Sequence, residues 1–297
     1  MKRVLFALSV MLPILALHCG KNTSTVSPED NVSPPQNLKA LSLTRQAVKL
    51  QWTASTQAND TTFKDYLIQW GSKQDSVAKT ATSFTADSLS LGITTFTMYS
   101  RSKNGSKSSG VSIQWAPAER FPGVFTIYED RATPAGDVAI DVGTGGGSPT
   151  TMPLDINALG KADFYLHGGS GQVQDPLTFN STDQFQANFK STYFSTVTHS
   201  SSSLDYYLSS FPATSTFTEK TTAVTANTIY YVMLSGTTTD VYFARILVTT
   251  VGGSFPGRSA VLQISLQRVV NTPYAEAVRR DREGLSRALL LPIIHSD

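Results

Sequence analysis

Alternation of apolar and polar positions with period two dominates the chain after residue 35. Val48-Lys49-Leu50-Gln51-Trp52 alternates strictly, which puts Val48, Leu50 and Trp52 on one face of a half-buried strand. Tyr66-Leu67-Ile68-Gln69-Trp70 and Phe96-Thr97-Met98-Tyr99-Ser100 are two further runs of strand type. The second leads into a turn at Lys103-Asn104-Gly105-Ser106. No helical period fills the gaps, so residues 34–116 predict a β-sandwich. A second strand set follows Pro117: Val124–Tyr128, Val138–Val142, Asp163–His167, Thr228–Leu234, Val241–Val248 and Ala260–Leu266. The last three runs lie so close together that they predict an antiparallel meander. A helix is expected only near Leu204–Ser209. The fold class is all-β, with a second antiparallel β-rich domain over residues 117–273.

The two ends break this pattern. Met1-Lys2-Arg3 precedes an apolar run from Val4 to Leu17, interrupted by Ser9 and Pro13. That run is too short to span a bilayer and has the form of a signal peptide over residues 1–18. It stops at Cys19, the single cysteine, which excludes an internal disulfide framework or a thiolate metal cluster. Residues 19–33 carry almost nothing apolar and predict a solvated tether. Residues 274–297 place Arg279, Arg280, Arg282 and Arg287 among Ala, Val and Leu. They predict a tail with a short helix ended by Pro292, or an unordered end.

Composition adds little. Charged residues make up 15% of the chain, against roughly 25% in ordinary soluble domains, and Ser, Thr and Gly take their place. The net charge of +2 comes with no basic stripe, so nucleic acid is excluded as an expected partner.

Three stretches resemble known families. Leu15-Ala16-Leu17-His18-Cys19-Gly20 resembles a bacterial lipoprotein signal, which implies lipidation of Cys19 and a membrane partner. Ala16 and His18 depart from the leucine and small residue usual there. Gly20-Lys21 holds no retention aspartate, so the resemblance implies the outer membrane or the cell surface.

Pro35, Leu38 and Ala40, then Trp52, Tyr66 and Trp70, then Phe96, Met98, Ser100, Asn104, Gly105 and Ser108 resemble a fibronectin type III module over residues 34–116. The likeness implies a spacer or contact surface, with Trp52, Tyr66 and Trp70 in the core rather than on a sugar platform. Phe96 stands where the family has tyrosine, and the missing corner hydrogen bond costs about 1 kcal/mol.

Tyr231-Val232 and Tyr242-Phe243-Ala244-Arg245-Ile246 are similar to HmuY-type haem-binding lipoproteins, with Arg245 in place of a lysine. This likeness implies haem as a cofactor held by two histidines, for which His167 and His199 are the candidates. Structural roles for both rings stand beside that reading.

Catalytic signatures are missing: there is no His-Glu-x-x-His and no Gly-x-Ser-x-Gly. Gly143-Thr144-Gly145-Gly146-Gly147 follows a strand but lacks the Lys-Ser/Thr of a phosphate cradle. Asp130, Asp137, Asp141, Asp155 and Asp163 are scattered, and Asp137 with Asp141 is the one pair placed to share calcium at a sheet edge. No metal site is expected. Asp60-Thr61-Thr62, Asp75-Ser76-Val77 and Asp87-Ser88-Leu89 resemble a bacterial O-glycosylation acceptor. The expectation is a non-enzymatic envelope lipoprotein that binds an unknown protein, glycan or haem ligand through its second domain. A haem-binding lipoprotein and an accessory protein of secreted enzymes are the alternatives.

Overall fold

A computed structural model describes residues 32–132, 135–170, 172–235 and 240–274. The signal peptide, Cys19, most of the tether and the tail beyond Tyr274 lie outside the described residues.

The first seven strands are β1 (Gln36–Thr44), β2 (Ala47–Thr53), β3 (Phe63–Trp70), β4 (Lys73–Ala78), β5 (Ser83–Ala86), β6 (Thr94–Ser102) and β7 (Val111–Trp115). They form sheets ordered β1-β2-β5 and β4-β3-β6-β7, packed as a fibronectin-type-III-like sandwich. The alternating residues of β2 do what their period dictates: Val48, Leu50 and Trp52 bury against Tyr66, Ile68, Phe96 and Met98. Trp52 and Tyr66 meet edge to face at 5.6 Å, and the Tyr66 hydroxyl accepts the Ser55 amide at 2.9 Å. Both are core residues, while Trp70 is half-buried against Phe84.

The second set comprises β8 (Glu119–Arg120), β9 (Phe125–Tyr128), β10 (Asp137–Asp141), β11 (Thr150–Pro153), the one-turn helix α1 (Ile156–Leu159), β12 (Phe164–His167) and β13 (Thr178–Ser181). It continues with β14 (Thr192–Ser200), β15 (Phe217–Glu219), β16 (Thr221–Ala223), β17 (Thr228–Ser235), β18 (Val241–Gly252) and β19 (Ser259–Leu266). A five-stranded sheet, β11-β10-β12-β13-β16, faces a sheet ordered β15-β14-β17-β18-β19-β8, with β9 also paired to β19. The expected meander is β17-β18-β19, antiparallel throughout. Phe164, Leu166 and Phe179 from one sheet and Phe194, Val232, Ile246 and Ile264 from the other fill the space between.

The helix expected at Leu204–Ser209 does not form. Leu204, Leu208 and Phe211 are spaced like a helical stripe, but all three are buried on an irregular segment. Leu208 bridges Ala40, with N···O distances of 2.8 and 3.1 Å. The segment thus covers the free edge of β1, and pairing of exposed edge groups outweighs local helical spacing.

That segment also joins the two sandwiches. Phe211 stacks on Tyr274 at 5.0 Å, and Tyr274 packs edge-on to Trp115 at 6.2 Å. Phe217, Tyr231, Phe243 and Leu247, on the outer face of the larger sheet, belong to the same buried cluster as the first sandwich. The connection between the sandwiches is pinned as well. The Ala116 amide donates to the Tyr274 carbonyl at 2.7 Å, and the Gln267 side-chain amide donates to the Pro117 carbonyl at 2.9 Å.

Arg245 sits in the middle of this outer face with 1% of its surface exposed. It donates to the carbonyls of Leu204 (3.3 Å) and Tyr206 (3.0 Å), so it satisfies irregular backbone that has no strand partner. Burial pulls its pKa below the ordinary arginine value.

Candidate functional site

Where the two sandwiches meet, a cleft of about 490 Å³ opens. Arg45, on the β1–β2 turn, and Leu91 line it from the first sandwich. Glu119, Tyr242, Arg268 and the loop Thr144–Ser148 line it from the second. A volume of this size is that of a small-ligand site.

The loop is built from behind and from one side. The Asp141 carboxylate accepts the Gly143 amide at 2.8 Å, and the Gly146 amide donates to the Gly143 carbonyl at 3.0 Å, closing a turn. Gly143 has φ +85°, and a Cβ there would collide with the Gly147 carbonyl oxygen, so only glycine fits. Arg268 spans the loop: Nη1 donates to the Gly143 carbonyl, Nη2 to the Gly147 carbonyl at 2.7 Å, and Nε to Glu119 at 2.6 Å. Its guanidinium also lies 5.3 Å from the centre of the Phe121 ring.

Beneath the loop, Asp163 is fully buried. Its Oδ2 accepts the Val142 amide at 2.7 Å, and its Oδ1 accepts Lys190 Nζ at 3.2 Å. Burial raises its pKa from 3.8 to about 6, with nearby Lys190 opposing the rise and Asp141 adding to it. A carboxyl that binds its proton more tightly folded than unfolded destabilises the fold when ionised. Stability should therefore rise as pH falls from 7 through 6 towards 4, by on the order of 3 kcal/mol from this group. Asp183 and Asp205, whose pKa values are lowered, act in the opposite sense as pH falls towards 3.8 and below, and equally in both proteins compared next. Urea titrations of wild type and Asp163→Asn at pH 7, 6, 5 and 4 check this. The difference between them should vary with pH in that window, and parallel curves would refute the assignment.

The histidine candidates lie elsewhere, and the structure does not bring them together. His167 points outward from the five-stranded sheet, with Nδ1 2.6 Å from Asp130, whose other oxygen accepts the Gly168 amide at 3.0 Å. His199 lies on the outer side of the opposite sheet, with Nδ1 2.9 Å from the Tyr231 hydroxyl and its ring 4.8 Å from that of Tyr206. Burial, and then the charge of Arg245, lower the His199 pKa, while burial pushes Tyr231 up to about 12. The core of the second sandwich lies between the two histidines.

The acids have separate tasks. Asp155 caps α1, and Asp137 accepts the Thr151 hydroxyl at 2.5 Å. Among the described residues no group of three or more His, Cys, Asp or Glu is placed to hold a metal. Thr61, Ser76 and Ser88 of the three acceptor-like tripeptides are exposed on the first sandwich. The cleft residues Arg45, Leu91, Glu119, Tyr242 and Arg268 went unnoticed as site residues in the sequence. Only the glycine run marked the place.

No family model matches the sequence, and no curated protein matches it. Among solved structures, the fibronectin type III domain of the human collagen α-1(XX) chain is similar at 20% identity. The match covers 33% of this chain and 96% of that one, with a TM-score of 0.27. A two-domain fibronectin type III segment from chicken tenascin matches at 12% identity over 78% of this chain and 99% of that one, TM-score 0.26. A family 28 exopolygalacturonase from Yersinia enterocolitica matches at 18% identity over 29% of this chain and 21% of that one, TM-score 0.23. The strand order of β1 to β7 is itself that of a fibronectin-type-III-like sandwich.

Proposed function

We propose that the chain is a non-enzymatic, lipid-anchored protein of the cell envelope whose two sandwiches form one stiff binding arm. In this reading Cys19 holds the outer membrane or cell surface, and residues 19–33 give reach. The second sandwich carries recognition, and the first both extends the arm and supplies one wall of the site. The observation that carries the reading is the junction cleft, a concave polar site walled by both sandwiches. Among the described residues that line it, the one carboxylate, Glu119, is paired with Arg268 at 2.6 Å, whereas hydrolysis of a glycosidic bond uses two facing carboxyls.

Expression in a bacterial host with detergent phase partitioning tests the anchor. The wild-type chain should enter the detergent phase with an acylated Cys19 by mass spectrometry, and Cys19→Ser should move to the aqueous phase. An unmodified Cys19 in the aqueous phase overturns the anchor. Turnover of a glycoside, ester or peptide panel that Glu119→Gln abolishes overturns the binding role.

A further inference from the structure

We propose that the junction cleft binds a short saccharide bearing a carboxylate, a uronic-acid type of unit. The inference rests on the binding role above and names its ligand. Gly145 and Gly147 carry the argument. Neither has a positive φ, and a Cβ at either would meet no atom within 4 Å. Neither turn geometry nor packing therefore calls for glycine at these two positions. What glycine does there is leave the N–H and C=O of Gly145 and the N–H of Gly147 uncovered by a side chain on the exposed rim of the cleft, where a ligand can approach the main chain closely, while the Gly147 carbonyl is held by Arg268.

The remaining lining sets the chemistry. The Gly145 amide and carbonyl and the Gly147 amide, beside the hydroxyls of Thr144 and Ser148, offer the alternating donors and acceptors that vicinal hydroxyls need. Tyr242 and Leu91 offer an aromatic edge and an apolar surface for the C–H face of a sugar ring. Charge then selects among sugars. Arg268 is committed to Glu119 and to the loop, so that pair is neutral. Arg45 is exposed on the opposite wall and enters no ion pair among the described residues. Its guanidinium fork matches a carboxylate in bidentate fashion.

Isothermal titration of the whole chain in detergent with glucuronate-containing di- and trisaccharides, and with their neutral glucose counterparts, tests the proposal. Acidic saccharides should bind at least tenfold more tightly than neutral ones, and more weakly at higher salt. Arg45→Gln should remove that preference, and Gly145→Leu or Gly147→Leu should abolish binding. All three variants should keep the wild-type melting temperature, because Arg45 is exposed and a Cβ at either glycine meets no atom within 4 Å. Equal affinity for neutral and acidic sugars, or binding untouched by Arg45→Gln and the glycine variants, overturns the proposal. So does binding of a peptide carboxy-terminus instead, although the binding role then stands. If a broad panel of glycans, peptides and intact cell surfaces gives no binding at all, the binding role fails with it.

Discussion

Phe211→Ala is expected to destabilise the chain by about 3–5 kcal/mol and to split one unfolding transition into two. Phe211 is 2% exposed and touches four other rings: Tyr274 stacked at 5.0 Å, Tyr231 edge-on at 5.2 Å, and Phe243 and Phe217 at 5.8 and 6.0 Å. Tyr274 in turn reaches Trp115 of the first sandwich. Truncation leaves a cavity at the point where the two cores become one, and the rigid rings around it cannot collapse to fill it. All three tryptophans, Trp52, Trp70 and Trp115, lie in the first sandwich. Tryptophan fluorescence therefore follows that sandwich and its contact with Tyr274, while far-ultraviolet circular dichroism follows both sandwiches. In the wild type the two urea curves should coincide, and in Phe211→Ala they should separate. Coincident curves in the variant, or a loss below 1 kcal/mol, would show that the sandwiches are coupled by something other than this aromatic bridge.

The same bridge shows where the sequence was readable. Val48, Leu50 and Trp52 announce β2 because one face of a sheet is buried, and period two is the only pattern that buries it. The β17-β18-β19 meander was readable for the same reason, with connections too short for any other pairing. Leu204 and Leu208 misled because i, i+4 spacing describes a helix only when the backbone's hydrogen bonds close locally. Here the Leu208 amide and carbonyl close on Ala40, more than 160 positions away, and the Leu204 carbonyl on Arg245. Arg245 showed only as a place in a strand motif. Its task, holding the carbonyls of Leu204 and Tyr206, exists only once that segment has folded over the sheet. The cleft was the least legible part. Arg45 and Arg268 sit on separate sandwiches, and no spacing rule links two residues that meet only through a domain junction. The glycine run is visible, but in sequence it reads only as a phosphate cradle that lacks its lysine.

Arg258→Ala carries the other large expected effect, a loss of about 3–5 kcal/mol. Glu129 follows β9, is fully buried, and faces Arg258 at the entry to β19. Arg258 Nη2 lies 2.7 Å from Glu129 Oε2, and Nε lies 3.2 Å from both carboxylate oxygens. Two backbone contacts frame the pair: the Arg258 amide donates to Glu129 Oε1 and the Glu129 amide to the Arg258 carbonyl, both at 2.9 Å. The guanidinium goes on to the carbonyls of Asp175 (2.5 Å) and Gly168 (3.0 Å), fastening the turn that follows His167. Removing the arginine leaves the buried Glu129 carboxylate with the Arg258 amide as donor but no opposite charge, and that stranded charge, more than the lost pair, sets the size of the effect. Replacing both partners tests this. Glu129→Gln with Arg258→Met removes the charges together and should recover most of the stability that Arg258→Ala loses, while Glu129→Gln alone should fall between them. Urea titrations of wild type, Glu129→Gln, Arg258→Met and the double variant close the cycle and give the coupling energy directly. Hydrogen exchange of the amides at 168–170 and 172–175 should accelerate in every arginine variant, because none holds the two carbonyls. A double variant as unstable as Arg258→Ala would place the cost in the lost backbone contacts instead. The turn beside His167 would then depend on Arg258 as a clamp on main-chain carbonyls, with the Glu129 charge incidental.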